Sequence, residues 1–108
     1  MSSAIEEIRK RTLLEQRVEL LRTDIELLAS DGQATDKAEK ELQQVMLKLR
    51  KIEVMLNLLT IEERTLIEDR YFNDKSINEI KEIHKMSHST LYRTFNTINM
   101  KLSALLNM

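Results

Sequence analysis

The stretch Ser76-Ile77-Asn78-Glu79-Ile80-Lys81-Glu82-Ile83-His84-Lys85-Met86-Ser87-His88-Ser89-Thr90-Leu91-Tyr92-Arg93 decides the fold. Ser76 followed three residues later by Glu79 has the form of a capping box, in which each side chain satisfies a backbone N–H that the first helical turn leaves without a partner. Ile77, Ile80 and Ile83 then recur at helical spacing. Ser87 can cap a further helix that carries Leu91, Phe95, Ile98, Leu102 and Leu105 on one face. Helices from Ser76 to about His84 and from Ser87 to about Leu106, joined by a three-residue turn, have the dimensions of a helix-turn-helix. In such a unit the first helix crosses the DNA backbone and the start of the second enters the major groove. With Leu91 and Phe95 set aside as inward, the start of the last helix presents His88, Ser89, Thr90, Tyr92, Arg93 and Asn96. These are hydrogen-bonding side chains suited to base edges.

Upstream, Thr60 with Glu63 is another capping box, and the helix it opens carries Leu66, Ile67 and Tyr71 inward until Asn73-Asp74-Lys75 breaks it. Before that the helices lengthen. Ser3 with Glu6 opens one predicted helix over residues 3–29, with a seam at Leu14, Val18, Leu21, Ile25 and Leu28 and a second stripe at Leu13, Leu20 and Leu27. Asp31-Gly32, within Ser30 to Thr35, is the turn signal, since glycine accepts the left-handed conformation that ends a helix. Asp36 with Glu39 is the expected cap of the next helix, whose seam is Leu42, Val45, Leu49, Ile52, Leu56 and Leu59. Matched helices with a short loop pack antiparallel, giving a hairpin about 35–40 Å long.

The expected fold is therefore all-α, with a coiled-coil-like antiparallel hairpin over residues 1–58 and a three-helix helix-turn-helix domain over residues 59–108. The hairpin's apolar face is wider than one partner helix covers, so it is expected to self-associate as a homodimer or higher homo-oligomer. The residues expected to carry that association are Leu13, Leu14, Val18, Leu20, Leu21, Ile25, Leu28, Leu42, Val45, Leu49, Ile52 and Leu56.

Composition supports long helices: there is no proline, one glycine, and abundant Leu, Ile, Glu and Lys. The absence of cysteine excludes disulfides, thiol nucleophiles and cysteine-ligated metals. A single glycine is incompatible with a glycine-rich phosphate loop, and Ser87-His88-Ser89 has no acid to orient the histidine, so no enzyme is expected. His84 and His88 lie on either side of a turn without a third ligand, and neither a metal nor any other cofactor is expected. No apolar run approaches the roughly 20 residues that cross a bilayer, and the charged start of the chain does not resemble a signal peptide. A bacterial cytoplasm is the expected compartment, with no membrane partner. Charge is balanced overall, 17 basic against 18 acidic residues, yet no Asp or Glu follows Glu82.

The segment Leu59-Thr60-Ile61-Glu62-Glu63-Arg64-Thr65-Leu66-Ile67-Glu68-Asp69-Arg70-Tyr71, with Ser76-Ile77-Asn78-Glu79-Ile80 and Ser87-His88-Ser89-Thr90-Leu91-Tyr92-Arg93, resembles region four of bacterial sigma factors. It resembles more closely the sigma-like late-gene regulators of phages of the ArpU and RinA type. The likeness covers residues 57 to 106 and departs from the family at Lys81, where a small residue usually packs, and at Lys85, where the turn often has glycine. It implies a sequence-specific, DNA-binding transcription regulator, phage or prophage encoded, acting at promoters as a late-gene activator on double-stranded DNA, with RNA polymerase as a further partner. It also implies His88, Ser89, Thr90, Tyr92 and Arg93 at the DNA, with Thr97 nearby; Lys101, further along the helix, is expected at a phosphate. The alternative expectation is an adaptor that binds RNA polymerase or another regulator without reading DNA.

Overall fold

The computed structural model describes residues 4–107, and Ser3, half of the first expected capping box, lies outside them. The described residues are all-α, in the order α1 (Ala4–Arg9), α2 (Arg11–Ser30), α3 (Asp36–Asn57), α4 (Ile61–Tyr71), α5 (Ile77–His84) and α6 (His88–Leu106). No helix among them is long and apolar enough to cross a membrane. They form two compact units: a hairpin from Lys10 to Val54, and a C-terminal unit built from Met55 onward together with the start of the chain through Arg9.

That division corrects the single helix expected over residues 3–29 and moves the boundary expected at residue 58. The helix is interrupted at Lys10, and the short α1 packs against α6. Ala4 and Ile8, four residues apart and so on one face of α1, are both fully buried. Burial of that face, about 1.5–3 kcal/mol for a side chain such as Ile8, outweighs the local preference for an uninterrupted helix.

In the hairpin, Val18, Leu21 and Val45 form the buried seam, with Leu14, Leu42 and Leu49 packed against it. Arg17 and Glu41 bridge α2 and α3 at its edge. Much of the apolar set expected to mediate self-association is thus closed within one chain. Ile25 and Leu28 are half-covered, and Ile52 and Leu56 are buried. Only Leu13 and Leu20 of that set stay exposed, in line with Leu27. The expected cap Asp36 is the first helical residue, and Thr35 takes the capping place: its carbonyl accepts from the Glu39 N–H at 2.9 Å, and its hydroxyl donates to the Glu39 carboxylate at 3.1 Å. Leu59, expected to continue the α3 seam, lies beyond the end of α3 and is buried.

The C-terminal unit holds most of the fully enclosed side chains. Ile8, Leu56, Leu66, Ile67, Ile80, Leu91, Ile98 and Leu102 are fully enclosed, with α4, α5 and α6 packed pairwise on one another. Ile83 and Leu105, both expected inward, are exposed. The 100° step per residue sets Ile83 at the edge of the α5 stripe, and Leu105 lies in the last turn of α6.

Two helices end in the same backbone motif with different residues. After α2, the N–H of Gly32 bonds Ala29 O and that of Gln33 bonds Leu28 O, with Gly32 at φ +70. After α5, the N–H of Lys85 bonds Glu82 O and that of Met86 bonds Lys81 O, with Lys85 at φ +53. Lysine is strained in the left-handed region, by about 1–2 kcal/mol; glycine is not, but it loses more entropy on folding. Lys85→Gly is therefore expected to raise the stability of the C-terminal unit by about 0.5–1 kcal/mol, seen as a higher urea midpoint at unchanged slope.

Candidate nucleic-acid interface

Three sequence-encoded caps fix the helices that bear the site. Thr60 accepts from the Glu63 N–H at 3.1 Å while the Glu63 carboxylate accepts from the Thr60 N–H at 2.9 Å. Ser76 and Glu79 repeat the arrangement. Ser87 Oγ accepts from the Thr90 N–H at 3.2 Å and donates to Thr90 Oγ1 at 2.9 Å. The last pair locks the first turn of α6, the turn that bears the residues expected at DNA.

The buried face of α6 is Leu91, Phe95, Ile98 and Leu102. Every residue expected at DNA stands away from it: His88, Ser89, Thr90, Tyr92, Arg93, Asn96, Thr97 and Lys101 are all exposed. They divide into groups. Ser89, Arg93 and Thr97 follow one another at i, i+4 and i+8 and line the face opposite the core. The Thr97 hydroxyl donates to the Arg93 carbonyl at 3.0 Å and keeps its oxygen free to accept. His88 and Tyr92, one turn apart, hold their rings 4.6 Å apart at 44°, making a flat, polar-edged ledge beside that line. Lys101 is different: its Nζ lies 3.2 Å from Glu63 Oε1, so an acid on α4 already holds the charge expected at a phosphate. The Glu63 carboxyl is held below the usual carboxylate range, first by the N–H of Thr60 and, against a smaller opposing effect of burial, also by Lys101.

A groove of about 330 Å³ runs along the Tyr92 and Asn96 flank of α6, and Arg9 and Arg70 also line it. The guanidinium of Arg9 lies 5.6 Å from the centre of the Tyr71 ring, a cation–π distance, and Tyr71 in turn meets Phe95 edge-on at 6.3 Å. The N–H of Ile5 donates to Asn99 Oδ1 at 3.4 Å. Arg9 and Arg70 were not among the expected site residues, because only the return of α1 onto α6 brings Arg9 there. The signal for Arg70 was its place within the segment resembling sigma region four.

Between α4 and the end of α5 lies a polar cluster that the apolar periodicity does not reveal. Asp69, on α4, is 5% exposed. Its Oδ2 is 3.0 Å from His84 Nε2 at the end of α5; its Oδ1 accepts from Asn73 Nδ2 at 3.2 Å and pairs with Lys75 Nζ at 3.2 Å. Burial pushes the Asp69 carboxyl up, but the hydrogen bonds of His84, Asn73 and Lys75 and the charge of Lys75 together outweigh it and hold the group below the usual carboxylate range. An ionised carboxylate only accepts, so His84 Nε2 carries the proton. The cluster ties the last residue of α5, immediately before the left-handed Lys85, to α4.

Comparison with curated proteins returns no match, and neither does comparison with solved structures. One family spans nearly the whole chain, from the N-terminal helix through the hairpin to the last turns of α6. The chain, matched over residues 3–104, belongs to the family described as "Protein of unknown function (DUF722)".

Proposed function

We propose that this chain is a sequence-specific DNA-binding transcriptional regulator, phage or prophage encoded, that acts at promoters in the bacterial cytoplasm by laying the start of α6 in the major groove. One observation carries the reading: a short helix and a long one, each capped by a serine, leave Ser89, Thr90, Arg93, Asn96 and Thr97 together on the exposed side of α6, on a helix with no acidic residue. Arginine is the side chain whose two N–H groups match the O6 and N7 acceptors of guanine, and Asn96 can do the same for adenine. Lys101, balanced by Glu63, adds less general attraction than an unpaired lysine. Self-association through the hairpin supplies a second reading helix. It compensates for a face that carries few cations.

The proposal has a direct test. Arg93→Ala is expected to weaken binding to the preferred duplex by about 1–3 kcal/mol and to relax preference at one base pair. Titration of labelled cognate and scrambled duplexes, with sites found by selection from random DNA, reads both effects. Equal cognate affinity of wild type and Arg93→Ala removes Arg93 from the groove.

The second reading is an adaptor that docks on RNA polymerase or another regulator without touching bases. The Glu63–Lys101 pair favours it, because a surface built to grip phosphate leaves its lysines unengaged.

A further inference from the structure

Leu13, Leu20 and Leu27 on α2 are 69, 58 and 60% exposed, and the hairpin's own seam does not use them. Single exposed leucines need no explanation, but three at seven-residue spacing form one line along the helix. Beside that line, at the same spacing, stand Lys10, Arg17, Asp24 and Asp31. Lys10 immediately precedes α2 and Asp31 immediately follows it, so the pattern spans the whole helix. Its two cations lie toward the N-terminal end and its two anions toward the C-terminal end. The helix dipole favours the opposite order. The dipole therefore does not account for this order. Arg17 engages Glu41 of α3 and is still 45% exposed at the edge of the leucine line. Arg17, Asp24, Leu27 and Asp31 also line an open groove of about 480 Å³ along the hairpin.

This charge order selects its partner. A second copy of α2 laid antiparallel, on a two-fold axis at Leu20, sets Leu20 on Leu20 and Leu13 on Leu27. The same placement brings Arg17 to Asp24 and Lys10 to Asp31. Every contact off the axis then occurs twice, as an isologous interface requires. A parallel copy sets each of the four charges against itself. Met46, Leu47 and Val54 form a further exposed apolar patch on α3, but the charges around it are mixed, Lys40, Arg50 and Lys51 with Glu39 and Glu53, and lack the segregated order seen along α2.

We infer that the exposed face of α2 is the self-association surface and that its occupant is a second copy of this chain, packed antiparallel through Leu13, Leu20 and Leu27. The inference rests on the self-association proposed above and is independent of DNA reading.

Charge reversal tests it. The variant Lys10→Glu/Arg17→Glu makes the face wholly acidic and Asp24→Lys/Asp31→Lys makes it wholly basic. Each alone is expected to be monomeric by light scattering at micromolar concentrations where wild type is dimeric, with helical circular dichroism retained. An equimolar mixture is expected to regain dimeric mass. Direction is read by oxidation, which is clean because the chain has no cysteine: Leu13→Cys mixed with Leu27→Cys should give the mixed covalent dimer, and Leu13→Cys alone should not cross-link. A monomeric wild type overturns both this inference and self-association. A dimeric wild type whose charge variants stay dimeric alone, or a Leu13→Cys variant that cross-links to itself, overturns the antiparallel α2 surface and leaves self-association standing.

Discussion

Asp69→Ala is expected to lower the stability of the C-terminal unit by about 2–4 kcal/mol, because it leaves the protonated Nε2 of His84 and the amide of Asn73 facing a site that water reaches poorly. Lys75, about a third exposed, can turn to solvent and contributes less. Asp69→Asn keeps one acceptor oxygen and should lose less than the alanine variant. The attribution has a pH signature. The carboxyl is held below its ordinary value, so its contribution is fully present above the unfolded-state value, near about 3.9, and is lost as pH falls through the lower folded-state value. Urea unfolding of wild type and Asp69→Ala should therefore differ by a constant amount near neutrality and converge on acidification below about pH 4. A gap that persists undiminished at low pH would assign the loss to packing and not to the charge.

Ile8→Ala is the second large effect expected, about 2–4 kcal/mol, as for other fully enclosed isoleucines truncated to the β-carbon. Its value lies in where the loss appears. Both tyrosines, Tyr71 and Tyr92, and both phenylalanines lie at or beyond Tyr71, so intrinsic tyrosine fluorescence reports on the C-terminal unit and is silent on the hairpin. The tyrosine transition should move to lower urea in Ile8→Ala. In Leu13→Ala, five residues away but exposed, it should stay within about 0.5 kcal/mol of wild type. An unmoved transition in Ile8→Ala would return α1 to the hairpin.

These residues also mark what a reader of the sequence could and could not see. The boundaries of α4, α5 and α6 were legible because each starts with a polar cap that works locally: Thr60 with Glu63, Ser76 with Glu79, and Ser87 need only the backbone three residues on. The hairpin turn was legible for the same reason at Gly32. The break at Lys10 was not, since nothing in Arg9-Lys10-Arg11 opposes a helix; the chain divides there because Ala4 and Ile8 find a core that lies some ninety residues away in sequence, against α6. The stripe Leu13, Leu20 and Leu27 looked like the flank of one wide apolar face, but periodicity alone does not say which stripe meets the partner helix in the same chain. Of the candidate site, the exposed face of α6 followed from setting aside Leu91 and Phe95. Asp69 escaped notice because an aspartate within a charged run, Glu68-Asp69-Arg70, has no sequence mark of burial. Its burial depends on His84, fifteen residues on.

The central claim is that α6 reads DNA, and the most direct measurement is the binding of the full-length wild-type chain to duplexes selected from random or genomic fragments, followed by anisotropy across a series of salt concentrations. The account predicts enrichment of one sequence motif, centred on the bases that Arg93 and Asn96 reach, with affinity that falls linearly in log–log form as salt rises. No enrichment and no detectable duplex binding at low salt would contradict it and put the adaptor reading in its place.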